Sequence, residues 1–128
     1  MILIIDTTDN EVIKLALAEN KKVIDRMEFK ARREQSEKLL PGIDKLLKKN
    51  KLNWRAVKLI KVANRGGSFT SLRIGVATAN ALGYALRIKV APLSGKASRK
   101  YKSNTNIINI VVVNYSRDPD ITVKKVHF

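Results

Sequence analysis

The chain has 128 residues and a formal net charge of +15, from 26 Lys and Arg against 11 Asp and Glu. Hydrophobic residues make up 45%, which supports one domain with its own core and argues against global disorder. The absence of cysteine excludes disulfides, thiolate metal sites and cysteine nucleophiles, and a single histidine, His127, excludes a multi-histidine metal centre.

Residues 2–5 form a short apolar run that ends in the turn cluster DTTDN, which predicts a buried strand and a tight turn. Residues 12–18 are the next apolar segment, interrupted by Lys14. A turn at 19–21 precedes a looser strand pattern over 22–29, with Val23, Ile24, Met27 and Phe29. Three strands joined by two short turns predict an antiparallel meander. Leu39, Leu40, Ile43, Leu46 and Leu47 then fall at helical spacing and predict a helix over about 34–49, with Pro41 in its first turns or at a kink. Residues 58–63 read as a fourth strand running into the loop NRGGSFT. Residues 71–86 read as a second helix with Thr70 as its N-cap, and 88–92 as a fifth strand. The polar, basic stretch 94–106 reads as an exposed linker, and 107–128 as a hairpin closed by the turn SRDPD. The order β-β-β-α-β-α-β plus a C-terminal β-hairpin predicts an α/β, ribonuclease H-like fold of the kind found in one lobe of actin-like proteins. The expected units are a lobe over 1–95, a basic linker over 96–106 and the hairpin over 107–128. The opening MILIIDTTDNE lacks a basic n-region and is not expected to be a secretory signal. No apolar run approaches the ~20 residues needed to span a bilayer.

Charge is unevenly placed. The first fifty residues carry 11 basic and 9 acidic side chains, the rest 15 and 2, and no carboxylate occurs between Asp44 and Asp118. Such a field attracts polyanions, while the same stretch supplies no general base or magnesium ligand. Lys96, Arg99, Lys100 and Lys102 surround Tyr101, and Trp54 lies among Lys48, Lys49, Lys51 and Arg55. Aromatics in such company stack on bases or simply pack, and the lysines touch nucleic acid or simply solvate a face.

The segment NRGGSFTSLRIGVATANALGYAL is the most informative. A strand, a glycine turn and a helix N-terminus make an arrangement suited to an anion, with Gly66, Gly67, Ser68 and Thr70 as the candidate residues. The glycines equally serve the turn alone. Gly75, Ala79 and Gly83 recur every four residues on one helix face, which admits a close neighbour, either this domain's own sheet or a second subunit. An actin-like kinase or ATPase would need a magnesium-binding carboxylate beside the phosphates, for which Asp6 and Asp9 are the only candidates, and Asp6 suits a turn residue better.

RGGSFTSLRIGVATANALG resembles the G-P-G-S-F-T-G-L-R-I-G segment of the bacterial TsaB (YeaZ) family. MILIIDTT resembles that family's opening strand and D-T-S turn. REQSEKLLPGIDKLL resembles its R-E-H-S-x-x-L-L-P-x-I-D-x-L-L helix, which accounts for Pro41. Order and spacing agree from residue 1 to about 94. The sequence departs from the pattern at Arg65 and Gly66, where the family has Gly-Pro, at Ser71 for glycine, and at Gln35 for histidine.

The resemblance implies an actin-like (ASKHA) fold, apparently reduced to one lobe, and a place in tRNA threonylcarbamoyladenosine biosynthesis in the cytoplasm. It implies a non-catalytic subunit without cofactor or metal. Such a subunit pairs with a TsaD-like protein that carries the chemistry, joined by a TsaE-like ATPase. It forms a homodimer when alone and reaches tRNA through the complex. The docking surface implied is Ser36, Leu39, Leu40, Ile43 and Leu47 on the first helix, with Arg73, Gly75, Ala79, Leu82 and Gly83 on the second. The rival reading is a stand-alone basic RNA-binding module.

Overall fold

The computed structural model describes residues 1–93, 98–102 and 107–111. Three strands come first: β1 (Ile2–Asp6), β2 (Val12–Glu19) and β3 (Lys22–Lys30), each antiparallel to the next. The β2–β3 turn is tight because Asn20 and Lys21 both take positive φ, 52° and 68°, the geometry whose twist matches paired strands. After α1 (Gln35–Lys49), β4 (Leu59–Val62) returns parallel to β1. After α2 (Phe69–Leu86), β5 (Lys89–Pro92) lies parallel to β4. The sheet order is β3-β2-β1-β4-β5, the ribonuclease H-like arrangement that the element order predicts.

Alternation decides which face is buried. Leu3 and Ile5 of β1, Ile13, Leu15 and Leu17 of β2, and Ile60 and Val62 of β4 are buried on one side. Leu39, Ile43, Leu46 and Leu47 of α1 and Leu72, Val76 and Ala79 of α2 close over them. The helix can approach because Gly42 has no side chain: a methyl there would run into the Phe29 ring. Pro41 lies inside α1, but exposed, where water reaches the carbonyl its missing N–H leaves unpaired. Trp54 is half-buried in a short 3-10 turn and packs on the core.

Two expectations are corrected. The N-cap of α2 is Ser68, whose side chain accepts from the Ser71 N–H, so the helix starts two residues before the predicted point and Thr70 sits exposed in its first turn. Thr70 and Ser68 are both good caps by type; only Ser68 has the extended backbone that a cap needs. The stretch read as a linker contains β6 (Ser98–Lys102), which pairs with β7 (Ile107–Val111) in a separate two-stranded sheet. A run of Lys and Arg suggests exposure, but backbone pairing does not require apolar side chains. The predicted strand over 121–128 lies outside the described residues. β7 is tied to the lobe by Asn80 of α2, whose amide accepts from the Val111 N–H at 2.9 Å and donates to its carbonyl at 2.8 Å.

At the far end of α1, Asp25 of β3 accepts from the Asn50 side chain at 2.9 Å and from the Arg26 N–H at 2.8 Å, with Lys49 at 3.3 Å. The Asn50 hydrogen bond first, then the Arg26 N–H and Lys49, holds its carboxyl below the ordinary value. A lowered pKa means that its contribution to stability is full above the ordinary carboxylate range and is lost as pH falls through that range. Asp25→Asn should therefore lower the neutral plateau slightly and flatten the acid limb below about pH 4, the variant and the parent chain converging at low pH, read by thermal melts across pH. Ile43→Ala should cost about 2–5 kcal/mol in urea unfolding through its cavity, whereas Leu40→Ala, one turn away and 45% exposed, should stay within about 0.5 kcal/mol.

Candidate functional site

Three sequence motifs meet at the carboxyl ends of β1 and β4. The chain leaves β1 through Asp6, Thr7 and Thr8. The Asp6 carboxylate accepts the Thr8 N–H at 2.9 Å and the Thr8 hydroxyl at 2.7 Å, which folds the turn on itself. Thr7 is fully buried and donates its hydroxyl to the Ser71 carbonyl at 2.6 Å, in the first turns of α2. Gly75, one turn further along α2, faces the same threonine, and a Cβ there would overlap the Thr7 hydroxyl. From the other side the Gln35 side chain donates to the Asp9 carbonyl at 2.8 Å, fixing the start of α1 to the same turn.

The glycine loop serves this junction. Gly66 and Gly67 have φ of +82° and +73°, a region that favours glycine. Gly66 has open space where a side chain would be, so only its backbone angle calls for glycine. Gly67 lies against the Thr8 backbone carbonyl, so it is required twice over. The next residue, Ser68, donates its N–H to that carbonyl at 3.0 Å. Of the polar groups considered for an anion, the Ser68 N–H and hydroxyl are thus engaged within the chain, and the close approach of the glycine is to Thr8. Asp6 is likewise engaged as the turn residue its position predicts.

The helix surface is narrower than the sequence suggests. Leu39, Ile43, Leu47 and Ala79 are buried in the core, Gly75 lies against Thr7, and Gly83 lies against Val90. These six cannot reach a partner without unfolding the lobe, which corrects their assignment to the docking face. Ser36, Leu40 and Arg73 remain exposed and Leu82 is half-buried; Ala77, Ala81 and Tyr84 join them on the outer side of α2. Arg99, Lys100 and Lys102 lie on β6, and Lys96 lies outside the described residues. Thr7 and Asn80 carry roles that the spacing of residues did not reveal; the signals available were a threonine inside the D-T-T turn and a lone asparagine within an apolar helix.

The family "TsaD: tRNA N6-adenosine threonylcarbamoyltransferase" matches residues 29–107. The chain belongs to this family. Its kinship within it is with TsaB (YeaZ) proteins. It is 29% identical over 96 residues to the tRNA threonylcarbamoyladenosine biosynthesis protein TsaB of Buchnera aphidicola, across 70% of this chain and 46% of that protein. It superposes on YeaZ from Pseudomonas aeruginosa with a TM-score of 0.64 and 26% identity, covering 75% of this chain and 45% of that one. An uncharacterized protein with similarity to peptidase YEAZ, from the same organism, gives 0.66 and 27%, with 75% and 44% covered. The chain spans less than half the length of these relatives. Among the described residues no helix is long and apolar enough to cross a membrane, and no three His, Cys, Asp or Glu side chains gather as a metal site.

The junction makes a graded prediction. Gly67→Ala should destabilise more than Gly66→Ala, because it meets a backbone carbonyl as well as a strained angle; the latter should cost about 1–2 kcal/mol. Thr7→Val removes one hydroxyl from a buried site and should cost about 1–3 kcal/mol. Chemical denaturation of the three variants checks the order.

Proposed function

We propose that this chain is a TsaB-like, non-catalytic subunit in tRNA threonylcarbamoyladenosine biosynthesis, pairing with a TsaD-like protein through the outer face of α1 and α2. The observation that supports it most is the convergence of three family-like motifs on one junction, at Thr7, Gln35 and Ser71, in a chain whose family match covers residues 29–107. The non-catalytic reading is supported by how the loop spends its polar groups. Asp6 closes its own turn, and Ser68 caps α2 and holds Thr8. The same groups are what an inherited phosphate or metal site would need.

The docking face consists of Ser36 and Leu40 on α1, with Arg73, Ala77, Ala81 and the edge of Leu82 on α2. Leu40 is the large apolar side chain α1 leaves in water, at 45% exposure, and burying it against a partner favours association. A TsaE-like ATPase joins the assembly, and on its own the chain pairs with a second copy. The carboxylate-free half presents its cations, among them Arg65 and Arg87, toward tRNA held by the complex. The family match favours this over a stand-alone RNA-binding module.

Co-purification with a TsaD-like protein tests the surface. Leu40→Asp and Ala81→Arg should each weaken capture at least about tenfold while circular dichroism and melting stay unchanged. Ala81 is used because Ala79 on the same helix is buried. Normal capture of both variants would remove α1 and α2 as the interface.

A further inference from the structure

β1 and β4 lack the alternation of strands that keep one face in water. β1 reads Ile2-Leu3-Ile4-Ile5 before its first polar residue, and β4 reads Leu59-Ile60-Lys61-Val62. Leu3, Ile5, Ile60 and Val62 are enclosed with α1 and α2 in the core. Ile2, Ile4 and Leu59 lie on the other face, which neither α1 nor α2 covers. Strands apolar on both faces belong to sheets that are covered on both. Register gives the layout of this second face. One row runs across the sheet from Arg26 through Ala16, Ile4 and Lys61 to Ala91, and the next carries Ile2, Leu59 and Lys89. Ile2, Ile4, Leu59 and both alanines are half-buried and form its middle. Arg26 and Lys14 border that middle toward β3, and Lys61 and Lys89 toward β5. Among the described residues these four cations form no ion pair. The carboxylates on this side are Asp6, closed in its own turn, and Glu28, set across from Lys14.

We propose that this face docks an amphipathic helix of another protein, one whose apolar stripe is bordered on both sides by Asp or Glu. A layer packed on a sheet is a helix or a second sheet, and a single stripe of large apolar residues suits the helix. Ala16 and Ala91 keep the flanks low, so the stripe can seat on Ile2, Ile4 and Leu59. β1 is 5 residues long, about 17 Å, which about three turns of helix span. The charges select the occupant. Cations stand on both flanks of the apolar middle, so an acid-bordered helix gains on each side, while a lysine-bordered one meets like charge on each. Lys61, itself half-buried, lays its stem along the apolar surface and reaches the border with its ammonium group. Stacking on bases would need aromatic rings, and the described residues of this face include none, which favours the helix over a nucleic acid. The surface lies across the sheet from α1 and α2, so its occupant leaves them open.

NMR titration of the whole chain with two synthetic peptides of about four helical turns tests this. Both carry the same leucine and alanine stripe, bordered by Glu in one and by Lys in the other. The Glu-bordered peptide should shift the signals of Ile4, Ala16 and Lys61 and spare those of α1 and α2, and the Lys-bordered peptide should bind at least about tenfold more weakly. Arg26→Glu together with Lys89→Glu, both at exposed positions, should reverse that preference, and Lys45→Glu on α1 should leave it unchanged. Without peptide, a soluble gadolinium chelate should broaden the methyl signals of Ile4 and Leu59, a readout that needs no variant. Methyls shielded from the chelate would mean that the chain covers this face itself and would overturn the proposal. So would failure of the Glu-bordered peptide to bind, equal binding of both peptides, or shifts confined to α1 and α2. A single-stranded RNA or an anionic phosphatidylglycerol vesicle that moves the same signals at lower concentration than the Glu-bordered peptide would overturn it as well.

Discussion

A single hydroxyl, that of Thr7, sets how the halves of this lobe meet. By donating to the Ser71 carbonyl, the fully buried threonine joins the end of the central strand to the first turns of α2. Gly75 must then be glycine, since the threonine occupies the place of its side chain, and Gly67 must be glycine, since Thr8 presses its carbonyl on it. Gln35 extends the same junction to α1. One turn thereby positions both helices, and the side chains of Leu40 and Ala81 are displayed at a spacing fixed by the sheet. A buried hydrogen bond of this kind adds only about 1 kcal/mol net, but leaving its acceptor unmet costs more, so it acts chiefly against other arrangements.

This explains why a loop with the look of a phosphate cradle works here as a joint. Glycine is required at Gly66 and Gly67 by backbone angle, and at Gly67 also by the approach of another part of the same chain. The same local chemistry in a nucleotide-binding protein would have its amides directed at a ligand. Here the Ser68 amide is directed at the Thr8 carbonyl.

The sequence made the meander, both helices and the parallel return strands legible, because period-two and period-3.6 patterns are strong where one face is buried. It did not separate core from surface on the helices. Leu39, Leu40, Ile43 and Leu47 all fit one helical stripe, yet Leu40 at its margin is half-exposed while the other three are enclosed, a distinction that depends on where the sheet and the second helix stand. The small-residue row of α2 was equally ambiguous until Thr7 and Val90 filled the space beside it. Ser68 and Thr70 differ as caps by backbone conformation alone, and β6 was hidden by its charge. The motif resemblance located the junction, but only coordinates show that Thr7 is its centre.

Charge is unevenly divided along the chain. Opposite charges nearly balance over the first fifty residues, while the strongly basic remainder attracts a polyanion. The central claim is that this chain enables chemistry performed on another protein. The most direct measurement is threonylcarbamoyl incorporation into tRNA, with and without a TsaD-like protein, at fixed amounts of this chain. The account predicts no product from the chain alone and a marked gain when it is added to the partner. Product formed by the purified chain by itself, or a partner indifferent to its addition, would contradict it.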